Sequence, residues 1–300
     1  MCDIRVGRSK EALEAFRKAA TLRENFLKLD DKNVADRREL MFVYAHMGDL
    51  LGNPNLPNLG DTKGAVQAYG RVLEIARRIH DADSADQRAR SDYAIALTRM
   101  AVVEEIPSRI RMLRQAIQLQ NEVAQTNPDD RSNRSDIAIN YKFLGDAYRN
   151  TGDRQNAIQA YREGLRLAES MFPAVTPVLA TGIVTMYRSL GELMARNGER
   201  RAAVEMGEKA LQLGDPAGPT AKQWPTVPYK LMSARGTAAM GWIFAALAKS
   251  VHRQPSDREE ARRWLQKGLL LYREREALGP MTNDLKREMR DVETELETFR

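Results

Sequence analysis

The sequence predicts an all-α protein: a stack of about five helical hairpins, opened by half a hairpin and closed by a capping helix. Three observations carry this. Over residues 137–169 the apolar positions Ile137, Tyr141, Leu144 and Tyr148 are spaced 4, 3 and 4, one face of a helix, and a second stripe follows at Ala157, Tyr161, Gly164, Leu165 and Ala168. Gly152 and Asp153 separate the stripes: glycine takes the left-handed conformation that ends one helix, and aspartate caps the free amides of the next. Small residues (Gly145, then Ala157 and Gly164) stand where the two helices must approach closely. Second, equivalent positions recur: Gly48, Ala101, Gly145, Gly191 and Ala246 are 53, 44, 46 and 55 residues apart. Third, the composition is 43% hydrophobic and 29% charged but only 6% aromatic, which suits long amphipathic helices and gives no β signal. Such an array grows by stacking and has no central core, so the length does not imply two globular domains.

Residues 9–29 read as one helix, with Ala12, Phe16 and Ala19 in the small-large-small spacing of Ala157, Tyr161 and Gly164. Only 11 residues precede Ala12, too few for a first helix and its turn. The array therefore opens on half a repeat, and a cut from a longer array is favoured over an N-terminal cap. Residues 37–80 are the first full unit: Tyr44, Met47 and Gly48 take the places of Tyr141, Leu144 and Gly145, and Ala65 and Tyr69 those of Ala157 and Tyr161. Gly48 to Gly60 is 12 residues where Gly145 to Gly152 is 7, and Pro54 and Pro57 keep the extra residues out of a helix, so a projecting loop is expected.

Residues 86–126 form a degenerate unit. Leu97, Met100 and Ala101 match the first helix and Leu113 and Ala116 the second, but Arg109 occupies the small-residue site. Pro107 marks its shortened turn, with Ser108 as cap, and Ser84 to Gln87 fits a capping box. The central unit (131–171) is followed by one at 178–214, carrying Tyr187, Leu190, Gly191, Met194, Ala203, Ala210 and Leu211 around an Asn197-Gly198 turn. Pro216, Pro219, Pro225 and Pro228 make 215–230 a linker, in which Trp224 is expected to pin the loop to the array rather than face a ligand. The last hairpin, 231–275, has Trp242 and Ala246, then Ala261, Leu265 and Gly268, with a capping box at Ser256 to Glu259. Residues 282–300 form a capping helix on Leu285, Met289, Val292, Leu296 and Phe299; fewer than three heptads are too few for a coiled coil.

The hairpin at 137–169 resembles a tetratricopeptide repeat through Tyr141, Leu144, Gly145, Tyr148, Ala157 and Tyr161, with Gly164 standing in for the usual Ala. The resemblance runs from about residue 9 to residue 271 and implies a right-handed α-solenoid. The period exceeds the ~34 residues of a standard repeat, so these are long-helix variants with insertions. The resemblance also implies that the first helix of each pair lines a concave groove, bringing Arg99, Lys142, Arg149, Arg188 and Arg196 inward beside Asp49, Asp146 and Glu192. Chaperone-binding relatives hold a terminal carboxylate in a Lys/Asn/Arg clamp; Asp146 stands where that clamp has Asn and would repel it, so that ligand is not expected. The surplus of cations favours an acidic segment held by arginine. The competing reading is that these charges pair along their own helices. More narrowly, residues 44–69 are similar to repeat regions that follow the catalytic domain of bacterial serine/threonine kinases, which implies either the non-catalytic part of such a signalling protein or a stand-alone relative of it. No glycine-rich phosphate loop, HRD-type loop or DFG is present.

The sequence predicts no enzyme, cofactor or metal. His46, His80 and His252 fall in different repeats without ligand spacing, and Cys2 stands alone. The acidic pairs Glu104-Glu105 and Asp129-Asp130 lie near helix ends, where charge compensation accounts for them. A net charge of +6 is mild, basic residues are interleaved with acidic ones, and few aromatics are offered for stacking, so nucleic acid is not the expected partner. The most apolar run, 238–248, is shorter than the ~20 residues of a spanning helix and reads as buried, with no membrane insertion. The function expected is a protein–protein interaction scaffold that binds a peptide or protein segment in its groove; an RNA-binding helical repeat and a self-assembling array are the alternatives. Oligomeric state is left open. The compartment expected is the cytoplasm, or outside it if the chain is part of a membrane-anchored kinase.

Overall fold

The computed structural model describes residues 9–30, 33–56, 58–172, 174–215, 218, 225–279, 281 and 283–299. Cys2, Pro57 and Trp224 lie outside them. The described residues form twelve α-helices and no strand: α1 (Ser9–Leu29), α2 (Val34–Gly52), α3 (Thr62–Ala82), α4 (Gln87–Ala101), α5 (Ile106–Thr126), α6 (Arg131–Asn150), α7 (Arg154–Glu169), α8 (Pro177–Arg196), α9 (Arg200–Leu213), α10 (Thr226–Ala248), α11 (Asp257–Glu276) and α12 (Asn283–Glu297). They fall into two compact units, Met1–Ala147 and Tyr148–Arg300, with the division inside α6. Within each unit successive helices pack in pairs, in the manner of a helical-repeat solenoid.

Helix starts are set by short side chains that accept a backbone N–H of the first turn. Asn33 takes Asp36 N–H, Asp61 takes Gly64 N–H, Asp153 takes Asn156 N–H and Thr176 takes Leu179 N–H. Gly152, at φ +79°, supplies the left-handed residue between α6 and α7. Three expected caps are different in the structure. Asp86, not Ser84, caps α4 by accepting Arg88 N–H, because Asp83 already holds the Ala85 and Asp86 amides in a turn. At α5 the cap position is Glu105 and Pro107 lies in the first turn, so Ser108 is inside the helix. Arg109 instead closes the preceding helix, donating to the carbonyls of Ala101, Val102 and Glu104. Ser256 makes no capping bond; the buried Asp257 accepts Gln254 N–H and pairs with Arg200. The Pro-rich linker also ends earlier than expected, since α10 begins at Thr226.

In unit 1 the packing stripes interlock: Leu13 of α1, Leu50 and Leu51 of α2, Tyr69 of α3 and Met100 of α4 share one apolar cluster. The loop that follows α2 is tied down by hydrogen bonds. Asn58 donates to the Asn53 and Leu56 carbonyls, and the Leu59 and Asp61 amides return to Leu50 and Leu51.

In unit 2, α10 packs against α8, α9 and α11. By length and composition Pro228–Ala248 could cross a membrane, a longer apolar stretch than the sequence reading took, but 72% of its most apolar 18-residue window is buried inside the fold, as in a core helix. It approaches α11 closely at Gly241, where a Cβ would stand 2.8 Å from Leu265, and at Ala238, which lies 3.0 Å from the Cβ position of Gly268.

Candidate functional site

Unit 1 carries a cleft of about 270 Å³ between α2 and α4, floored by Val72 of α3. Its solvent-facing lining includes two large apolar side chains, Phe42 at 58% and Ile95 at 41% exposure, beside the exposed Glu39 and Arg88. Phe42 and Ile95 stand off the packing stripes that bury Leu40 and Val43 on α2 and Leu97 and Met100 on α4. Around them lie three arginines. Arg38 is held by Asp92 at 2.6 Å and Asp86 at 3.2 Å. Arg99 Nη1 donates to both oxygens of Asp49 at 2.8 Å. Arg88 is exposed and makes no ion pair among the described residues.

Asp49 is the hub beneath this cleft. It also accepts Tyr69 Oη–H at 2.6 Å and Asn53 Nδ2–H at 3.0 Å, so one carboxylate ties α2, α3, α4 and the 53–61 loop together. Burial, with Asp49 beside it, pushes the Tyr69 phenol far up. His46 stacks on Phe16 at 5.4 Å and meets Phe42 edge-on at 4.2 Å, and burial lowers its pKa against the opposing pull of Asp49. Asp136 lies within reach of Arg99's field; burial and then Asp130 raise it to about 6.

The groove residues expected from the sequence divide between the units. In unit 1, besides Arg99, Lys142 pairs with Asp146 at 2.9 Å one turn along α6 and lies over the Phe143 ring. In unit 2, Arg149 donates to Ser189 Oγ at 2.9 Å. Arg188 and Arg196 both face Glu192, at 3.4 and 4.0 Å, and Arg188 also covers the Trp242 ring. The i,i+4 pairing of α6 and α8 thus neutralises much of the cationic surplus counted along the chain. Phe42, Ile95, Arg38 and Arg88 were not singled out by the sequence reading. A signal for them exists: Phe42, Ile95 and Ile139 each stand six residues before the small residues Gly48, Ala101 and Gly145. The same position in the next unit is Thr185, which ends the apolar row.

No group of three or more His, Cys, Asp or Glu that could hold a metal ion occurs among the described residues.

Residues 141–171 match the tetratricopeptide repeat family model. No curated protein matches the chain. Among solved structures, the chain is similar to BtubC (BKLC) from P. vanneervenii, at 12% identity and a TM-score of 0.58, over 91% of this chain and 94% of that one. Yeast Tom70 also matches, at 11% identity and a TM-score of 0.24, over 96% of this chain and 72% of that one. The helix pairs and the BtubC likeness show a helical-repeat fold, and one hairpin within it, residues 141–171, is the part that matches the tetratricopeptide repeat. Repeats of this type generally mediate protein–protein interaction, and the fold is generally non-catalytic. A cleft with two exposed apolar side chains and a charged rim can do one thing without further chemistry: it can take a side chain of another protein out of water.

Proposed function

We propose that the chain is an interaction scaffold whose unit 1 binds an acidic protein segment, seating one apolar side chain of that segment between Phe42 and Ile95. The observation that carries the reading is the exposed pair Phe42 and Ile95 beside Arg88, which makes no ion pair among the described residues. Two large apolar side chains side by side at a cleft offer a partner an anchoring point. Arg88 supplies the charge complement, and Arg38 and Arg99, prepositioned by their carboxylates, add directed N–H donors. The likeness of residues 44–69 to kinase-linked repeats supports a place for this scaffold in bacterial signalling.

The test is fluorescence anisotropy with a short Glu/Asp-rich peptide carrying one central Leu or Phe, and with a Lys-rich peptide of the same apolar residue. Wild type should bind the acidic peptide, less tightly as salt rises. Phe42→Ala/Ile95→Ala and Arg88→Glu should each weaken binding roughly tenfold or more, as for removal of an anchor at an interface centre. Arg149→Glu/Arg188→Glu, in unit 2, should leave it unchanged. Equal binding of the acidic and basic peptides, or full affinity in both unit 1 variants, would sink the reading. An oligoribonucleotide that binds with a steep salt dependence would favour the RNA alternative instead.

A further inference from the structure

Unit 2 holds an acidic helix on a basic face. Residues 285–299 contain Glu288, Asp291, Glu293, Glu295 and Glu297 against Lys286, Arg287 and Arg290. Leu285 and Val292 of α12, and Phe299 just past its end, are each no more than 7% exposed. Three carboxylates of α12 meet cations of α10, of the residue that follows α10, Lys249, and of α11. Arg235 holds Glu288 through two parallel bonds, Nε to Oε2 at 2.9 Å and Nη2 to Oε1 at 2.7 Å, and Tyr272 Oη–H adds a third at 3.1 Å. Lys249 pairs with Glu295, and Arg273 with Glu293 at 3.4 Å. Lys249 and Arg258 both lie over the Phe299 ring, at 5.5 and 5.7 Å. Arg235 is itself fixed from behind by Thr181 of α8 at 2.8 Å.

The face is therefore a mould whose ligand is visible: apolar side chains at i and i+7 and carboxylates at i+3 and i+10 of one helix, followed by an aromatic ring at i+14 just past its end. We propose that the α10–α11 face is a docking site for acidic amphipathic helices, occupied in cis by α12 and open in trans to a partner helix of that pattern. The occupant docks as a single helix, and its polar hold is made of ion pairs, several of them exposed: Lys249 is 54% and Arg273 62% exposed. Such pairs weaken with salt. The tether gives α12 a high effective concentration, so a free helix competes poorly until the cis contacts are loosened. This site is separate from the cleft of unit 1 and does not depend on it.

The probe is a labelled peptide of residues 281–300, titrated into the full chain. Binding to wild type should be weak. Glu288→Gln/Glu295→Gln, made in the chain and not in the peptide, should speed amide exchange over 285–297 and tighten peptide binding by about ten- to a hundredfold, the range expected for charge-assisted hydrogen bonds removed from the competitor. Arg235→Glu added to that variant should remove the gain. Lys249→Glu/Arg273→Glu, at exposed positions where folding is not at stake, should reduce it at least several-fold. Exchange over 285–297 as slow as in wild type, no tighter binding in the Gln variant, or unchanged binding after Lys249→Glu/Arg273→Glu would each overturn the assignment.

Discussion

Two glycine-to-alanine changes with the same nominal clash should have opposite results. Gly48 lies inside α2 and Gly207 inside α9, and alanine at a helix-interior position gains about 1 kcal/mol over glycine. At Gly48 the new methyl would stand 2.5, 2.6 and 2.8 Å from three atoms of the Tyr69 ring. That ring is fully buried, rigid, and held at its hydroxyl by Asp49 at 2.6 Å and Asn53 at 2.9 Å. It has nowhere to slide, so the cost belongs at the upper end of the roughly 1–3 kcal/mol of overpacking. Gly48→Ala should therefore lose about 2 kcal/mol net, roughly thirtyfold in the folding equilibrium. At Gly207 the methyl would meet Met240 Sδ at 2.5 Å and its Cε at 2.8 Å, the far end of an unbranched side chain that can turn away. Gly207→Ala should fall between neutral and slightly stabilising. Urea unfolding followed by far-UV circular dichroism reads the difference. Amide exchange in α2 and α3, compared with α9 and α10, localises it, since parts of a repeat array can open separately. A Gly48→Ala protein as stable as wild type, or a larger loss at Gly207, would refute the reasoning.

The raised pKa of Asp136 means that the folded state keeps a proton the unfolded chain has already released. Its contribution to stability is present at low pH and lost as pH rises from about 4 to about 6. Asp136→Asn should therefore stabilise the protein at neutral pH and change little near pH 4, measured as melting temperature against pH. Tyr69→Phe removes one donor from Asp49 and one acceptor from Asn53; a loss of about 1–2 kcal/mol is expected, with faster amide exchange in residues 53–61. Ala157 is fully buried, so Ala157→Arg places an unpaired guanidinium in the packing of α7 and should cost about 4 kcal/mol or more by urea denaturation.

Much of the chain's organisation could be read without coordinates. The stripes at Ile137 to Tyr148 and Ala157 to Ala168, and the Gly152-Asp153 break, depend on residues within one or two turns of each other. Local sequence sets such features directly. Caps were less legible where several acceptors compete: Ser84, Asp83 and Asp86 all offer an oxygen, and the path of the chain out of α3 decides among them. The same limit applies at Ser256, where Asp257 turns to Arg200, 57 residues away, instead of leaving the cap to serine.

The sequence by itself determined where helices form and that they recur as pairs, because periodicity, glycines and short polar side chains act over three to five residues. Only the tertiary structure decided what each charge and each off-stripe residue does. The sequence places Arg99 in a groove beside Asp49 and leaves both ligand binding and pairing along its own helix open; in the structure it pairs with Asp49, 50 residues away, because α4 stands beside α2. Asn140, polar and next to the stripe residue Tyr141, is buried: Gln120 of α5 and Thr98 of α4 meet its amide at 2.8 and 2.9 Å. Phe42 and Ile95 stay exposed because no helix covers that side of α2 and α4 among the described residues. Burial and pairing are properties of the surface that a neighbouring helix brings, and a helix's own sequence does not carry its neighbour's address.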